Sequence, residues 1–161
     1  MMITQRKLKM QAENLYNQKI GPLLAQIGML SRVFAIQSFA KNVTEITPEQ
    51  FTVLSALREH GDLYQRQICA ITLKDRANIT RIISILEAQG FVSRQIESQG
   101  RQIQKVSITE KGNEMFDKAL PFILEIWAKT IENIDEEEMN ACFLTLQKIK
   151  ENLQNNTTLN L

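Results

Sequence analysis

Apolar positions recur along this chain at two periods, and the switches between them lay out its elements. Residues 5–19 are polar with Leu8, Ala12, Leu15 and Tyr16 spaced as on one face of an amphipathic helical arm. Gly21-Pro22 punctuates, and proline is tolerated in a first helical turn. Leu23, Leu24, Ile27, Leu30 and Phe34 then recur at three and four residues, a long helix that fades near Asn42. Thr47-Pro48-Glu49-Gln50 starts the next helix, with Thr47 as cap and Gln50 three residues on. Its buried side is Phe51, Val53, Leu54 and Leu57, and His60-Gly61 ends it. A short helix over Tyr64 to Thr72 buries Ile68, Cys69 and Ile71. A longer one over Arg76 to Gln89, with Ile79, Ile82, Ile83 and Leu86 inward, stops at Gly90.

The period then drops to two. Val92, Arg94 and Ile96, then Gln104, Val106 and Ile108, predict two strands around the polar turn Glu97 to Gln102. Thr109 to Gly112 opens a helix carrying Met115, Phe116, Leu120, Ile123, Leu124 and Trp127, which Pro121 is expected to kink. Asn133 to Glu138 predicts a turn and an acidic first turn, favourable at the positive end of a helix dipole. Met139, Cys142, Phe143, Leu146, Ile149 and Leu153 form one face of a final helix, with a polar tail from Asn155 expected to fray.

The fold class that follows is mainly α with a small β-hairpin. Residues 46–111 form a compact central unit. Residues 1–45 and 112–155 are helical arms with more apolar surface than that unit can cover, and a second copy of the chain is the expected cover. Few aromatics, 6% of the chain, leave the core to Leu, Ile, Val and Met. The net charge of +1 conceals an asymmetry: residues 1–47 carry +4, residues 62–111 carry +3 and residues 130–161 carry −4. On its own this reads equally as a solvated mixed surface. No apolar leader is seen at the start, and no uninterrupted run of about eighteen apolar residues predicts a membrane span.

Where the basic residues fall changes that reading. On the helix 76–89, Arg76, Asn78, Thr80 and Arg81 lie on the open side of the first turns, opposite the isoleucines. Arginine pairs with guanine in two places, asparagine does so with adenine, and threonine suits a phosphate or a thymine methyl. A helix in the major groove makes base contacts near its N-terminus, where these four cluster. Gln65 and Arg66 open the preceding helix and could clamp phosphates. Arg101 and Gln102 occupy the hairpin tip beside Gly100, within reach of the backbone or a narrow minor groove. A polar helix face alone reads as readily as solvated surface. The order short helix, polar-faced helix, strand, basic-tipped hairpin is what makes the signal specific.

Residues 47–112 resemble the winged helix-turn-helix of the MarR family of bacterial transcription regulators. TPEQFTVLSAL is similar to the helix before the motif, DRANITRIISILEAQGFVSR to the recognition helix and first wing strand, and VSITEKG to the return strand and next helix. The likeness extends more weakly over 22–42 and 112–153, which in the family form the dimer interface. The resemblance implies a cytoplasmic homodimer that binds a pseudo-palindromic operator as a sequence-specific regulator, usually a repressor, released by a small-molecule effector. The family commonly has an Asp and two Arg in the wing. Here Gly100 and Gln102 stand in place of the Asp and the second Arg.

Two other readings stay open: a winged-helix module for protein–protein assembly, and a cysteine-based redox-sensing regulator. Cys69 and Cys142 lie in apolar helical patterns, where a thiol is expected to be an inert small hydrophobe. His60, the single histidine, has no ligand-spaced Asp, Glu or Cys beside it. Met10, Met29, Met115, Met139 and Trp127 are expected in the core, with lining an effector pocket as the second role. No glycine-rich phosphate loop or nucleophile arrangement points to an enzyme, a cofactor or a metal.

Overall fold

The computed structural model describes residues 2–17, 19–43, 45–99 and 101–157. Among the described residues, seven helices and three strands follow in the order α1 (Met2–Asn17), α2 (Ile20–Asn42), α3 (Pro48–His60), β1 (Leu63–Tyr64), α4 (Gln65–Thr72), α5 (Arg76–Ala88), β2 (Val92–Gln99), β3 (Arg101–Ile108), α6 (Glu110–Thr130) and α7 (Glu136–Asn155). The sheet is antiparallel with order β1-β3-β2.

Local chemistry sets the boundaries. The Thr47 side chain accepts from Gln50 N at 3.2 Å while Gln50 Oε1 accepts from Thr47 N at 2.7 Å, a complete capping box with Pro48 in the first turn. Asp75 and Asp135 cap α5 and α7, each carboxylate accepting a backbone N–H at 2.8 Å. Thr109 does two tasks at the start of α6: its Oγ1 accepts from Gly112 N at 3.0 Å and donates to Gly90 O at 2.7 Å. Gly90 leaves α5 at φ 77°, the conformation its position after the helix requires.

The core is one cluster at the junction of the C-terminal end of α2, the helices α3 to α5, the strands and α6 as far as Ile126. Phe51 stacks on Phe116, centroids 5.0 Å apart, and meets Phe39 edge-on at 6.0 Å. The predicted inward residues of α3 and α5 are all buried. On α4 the expectation holds for Ile68 and Cys69 and fails for Ile71, which is 43% exposed because no element covers that side of an eight-residue helix.

Several expectations are corrected. The segment Glu97 to Gln102 is not an open turn: the ladder runs through Glu97↔Ile103, Ser98↔Gln102 and Gln99↔Arg101, because pairing continues as long as backbone donors and acceptors face each other. Strand β1 has only two residues and too short a pattern to show a period. Of the residues assigned to the core, Met115 is buried, whereas Met10, Met29 and Trp127 are exposed and Met139 is half-buried. Cys142 is exposed while Cys69 is buried. The side chains of Leu8 and Leu15 lie outside the described residues.

The same cause runs through these exposures. Helix α7 has no buried residue in the single chain, and the front of α2 leaves Met29 and Leu30 about two-thirds exposed. Helix α2 is long and apolar enough to cross a membrane by length and composition. It is nonetheless built into the folded body, with Phe39 in the core and Arg32 paired to Glu49 of α3 at 3.1 Å.

Candidate nucleic-acid interface

Helices α4 and α5 form a helix-turn-helix joined by a tight turn at Leu73, held at φ 52° in the left-handed region. Helix α5 drives Ile79, Ile82, Ile83 and Leu86 into the core, which fixes its rotation. Arg76, Thr80 and Arg81 are therefore exposed, and Asn78 is half-buried beside them. Arg81 donates to Asn78 Oδ1 at 3.4 Å, a loose contact that leaves the guanidinium's other donors unspent.

The two helices are clipped together by one side chain. Gln65 Nε2 donates to Arg76 O at 3.2 Å and to Thr80 Oγ1 at 2.5 Å. Its amide nitrogen is thus bonded within the protein, whereas Arg66 next to it is exposed. The helices α4 and α5 present Arg66, Arg76, Asn78, Thr80 and Arg81 together. The backbone of Arg101 and Gln102 lies in β3 at the far end of the hairpin, while Gly100 and the side chains of Arg101 and Gln102 lie outside the described residues.

Sequence reasoning missed the root of that hairpin. Arg94 on β2 donates to Ser84 Oγ at 2.7 Å and faces Glu87 at 3.4 Å, both on α5. Its side chain is 23% exposed, so the pair is partly desolvated and ties the wing to the recognition helix. The period-two pattern marks Arg94 as an inward position, which was the available signal.

It also missed a cavity of about 710 Å³ between α2, α3 and α5. Its apolar wall includes Ile36, Phe39, Ile82 and Ile85, and its polar rim is Arg32, Glu49, Lys74, Asn78 and Arg81. With Arg32 paired to Glu49, Lys74 and Arg81 leave the rim net positive, which favours an anion. Asn78 and Arg81 belong to both the open helix face and this rim. Among the described residues no group of three or more His, Cys, Asp or Glu is placed to hold a metal. Burial pushes the Cys69 thiol up from its ordinary value, with Asp75 adding in the same direction.

Comparison with known proteins agrees with this architecture. Residues 44–102 match the model of the MarR family. The HTH-type transcriptional regulator YybA of Bacillus subtilis is 23% identical over 136 residues, 84% of this chain and 91% of that one. The HTH-type transcriptional repressor NicR of Pseudomonas putida is 28% identical over 111 residues, 69% of this chain and 70% of that one. Bordetella bronchiseptica BpsR, whose DNA binding is regulated by 6-hydroxynicotinic acid, superposes with a TM-score of 0.73 at 23% identity. That superposition covers 82% of this chain and 98% of BpsR and shows a shared fold.

Proposed function

We propose that this chain, whose residues 44–102 match the MarR family model, is a cytoplasmic MarR-type repressor that binds a pseudo-palindromic operator as a homodimer. The observation that carries this is the rotation of α5: four apolar residues are buried, Arg76, Thr80 and Arg81 are exposed, and Asn78 is half-buried beside them. A helix so held can enter a major groove with its polar N-terminal turns against base edges. Arg66 meets the flanking phosphates, and Arg101 and Gln102 extend the footprint from the wing. The domain roles follow: residues 46–111 read DNA, and residues 1–45 and 112–155 pair the protomers.

Pairing is supported by apolar side chains that a single chain leaves in water. Leu23, Met29 and Leu30 on α2, Leu124 and Trp127 on α6, and Phe143, Leu144 and Leu153 on α7 are each more than half exposed. So many large apolar side chains left in water on three helices are costly and support an interface there. A two-fold dimer would set two α5 helices about one DNA turn apart.

Release by an effector is supported by the cavity. A small apolar acid fits an apolar wall with a cationic rim, and 6-hydroxynicotinic acid, which regulates BpsR, is of that class. A ligand drawing Arg81 and Asn78 into the cavity removes them from the groove, which supplies the differential affinity that any effector needs.

The test is binding of a fluorescent duplex from upstream of the chain's own gene, against a scrambled duplex, across a salt series. A preference for the upstream duplex and a steep salt slope are expected. Equal, salt-insensitive or absent binding would leave the protein–protein assembly module as the better reading. The redox-sensing alternative has a buried, protonated Cys69 against it.

A further inference from the structure

Threonine on a reading helix can serve DNA in two ways, through its hydroxyl to a phosphate or through its methyl to a thymine. The hydrogen bonds around Thr80 decide between them. A hydroxyl has a single proton to donate. Thr80 Oγ1 donates it to Arg76 O at 2.7 Å, back along its own helix. The same oxygen accepts from Gln65 Nε2 at 2.5 Å. The direction of that second bond is fixed by the Arg76 carbonyl, which can only accept, so the Gln65 amide atom 3.2 Å from it is the donating nitrogen and not the amide oxygen. Gln65 thus anchors the hydroxyl from α4 while Arg76 occupies its proton.

With the oxygen held from two sides and its proton spent, the group Thr80 has left to offer a partner is its methyl. Thr80 itself is exposed, so the methyl is presented outward from the first turns of α5. Resting on the groove-reading role proposed above, we infer that Thr80 is a specificity residue that reads the C5-methyl of a thymine, with Gln65 as the positioning residue that aims it. A phosphate role would need the donor that Arg76 has taken.

The two roles predict opposite results for two small substitutions. Thr80→Val keeps the outward methyl and replaces the hydroxyl with a second one. Thr80→Ser keeps the hydroxyl and deletes the methyl. The probe is a duplex selected from a random library by the wild-type protein, remade with uracil in place of each thymine in turn, which removes only the C5-methyl. At one symmetric position uracil should weaken wild-type binding about four-fold per half-site, about fifteen-fold with both replaced, as expected for one buried methyl. Thr80→Val should bind within about three-fold of wild type and keep that sensitivity. Thr80→Ser should bind about as weakly to the thymine duplex as wild type does to the uracil duplex, and ignore the change.

If Thr80→Ser binds normally and Thr80→Val does not, or if no uracil position matters to wild type, the assignment is overturned. The wild-type uracil scan needs no mutant, so it stands even if a variant unfolds, which thermal melts of each variant would report. If the wild-type protein selects no sequence at all, the groove-reading role itself has failed, and the two failures are told apart at the first step.

Discussion

Gly112 is the position where one methyl group should do most damage. It lies in the first turn of α6, packed on the exit of α5. A Cβ built there would meet Phe91 O at 2.0 Å and Ile108 Cγ1 at 2.8 Å. Ordinary contact begins at 3.4 Å, so the backbone must part by about 1.4 Å, the difference of those two figures for the carbonyl. No flexible side-chain tip can yield instead, since the obstacle is a carbonyl. Parting breaks the joint that holds the segment: Thr109 N to Phe91 O at 3.0 Å, Thr109 Oγ1 to Gly90 O at 2.7 Å, and Gly112 N to Thr109 Oγ1 at 3.0 Å. Three hydrogen bonds at about 1 kcal/mol each, plus about 1–3 kcal/mol of overpacking, less about 1 kcal/mol of helix propensity gained by alanine, leave a loss of about 3–5 kcal/mol. For a chain of this length that is a fall in Tm of about 6–20 °C. Thermal and urea melts of Gly112→Ala at matched protein concentration measure it. Gly28→Ala, inside α2, is the control, since a Cβ there meets nothing within 4 Å and alanine is the better helix former. If Gly112→Ala melts within about 1 kcal/mol of wild type, the packing of α6 against the recognition-helix exit is wrong.

Arg81→Ala should cost about 1–3 kcal/mol of DNA binding and relax preference at one base position, read by competition among single-base variants of a selected duplex; unchanged preference would remove Arg81 from the readers. Leu30→Glu puts a charge on an α2 position that is 67% exposed in the single chain, so the protomer should fold normally but elute as a monomer in size-exclusion chromatography with light scattering, and a persistent dimer would move the interface elsewhere. Cys69 is buried and its thiol is raised above the ordinary value, so at pH 7 it is protonated and shielded; iodoacetamide should modify it only in denaturant, and mass spectrometry showing native labelling of Cys69 would reopen redox sensing.

The sequence was most legible where a residue type has a single local reason to be present. The box of Thr47 and Gln50 with Pro48 between them announces a helix start, and it is found bond for bond. The four inward residues of α5 follow from a period that admits one rotation, and that rotation exposes Arg76, Thr80 and Arg81. Long-range pairings were not legible. Nothing in the spacing of Gln65 and Thr80, fifteen residues apart, says that one will hold the other's hydroxyl. Leu73 in a left-handed turn is likewise set by the geometry of two helices, since leucine carries no preference for that conformation. The exposed Met29 and Trp127 were misplaced because periodicity marks an apolar face without saying whose core it enters.

Helix α5 carries a constraint that bears on how release would work. Asn78 and Arg81 lie at the edge shared by the open face and the cavity rim. An effector acting only on the distance between two reading heads must transmit its effect through α2 and the dimer. One that engages Arg81 need not, because under the proposed reading it withdraws a base contact directly. At about 1–3 kcal/mol per arginine and two half-sites, withdrawal weakens operator binding by about 30-fold to 10⁴-fold, enough to empty an operator without any change in dimer geometry. The two routes differ in what Arg81→Lys does. Lysine keeps the charge but cannot bridge a carboxylate and a base edge with a planar fork. If withdrawal operates, the variant should lose operator affinity and effector response together; if spacing operates, the weakened complex should still respond to the effector by the wild-type factor.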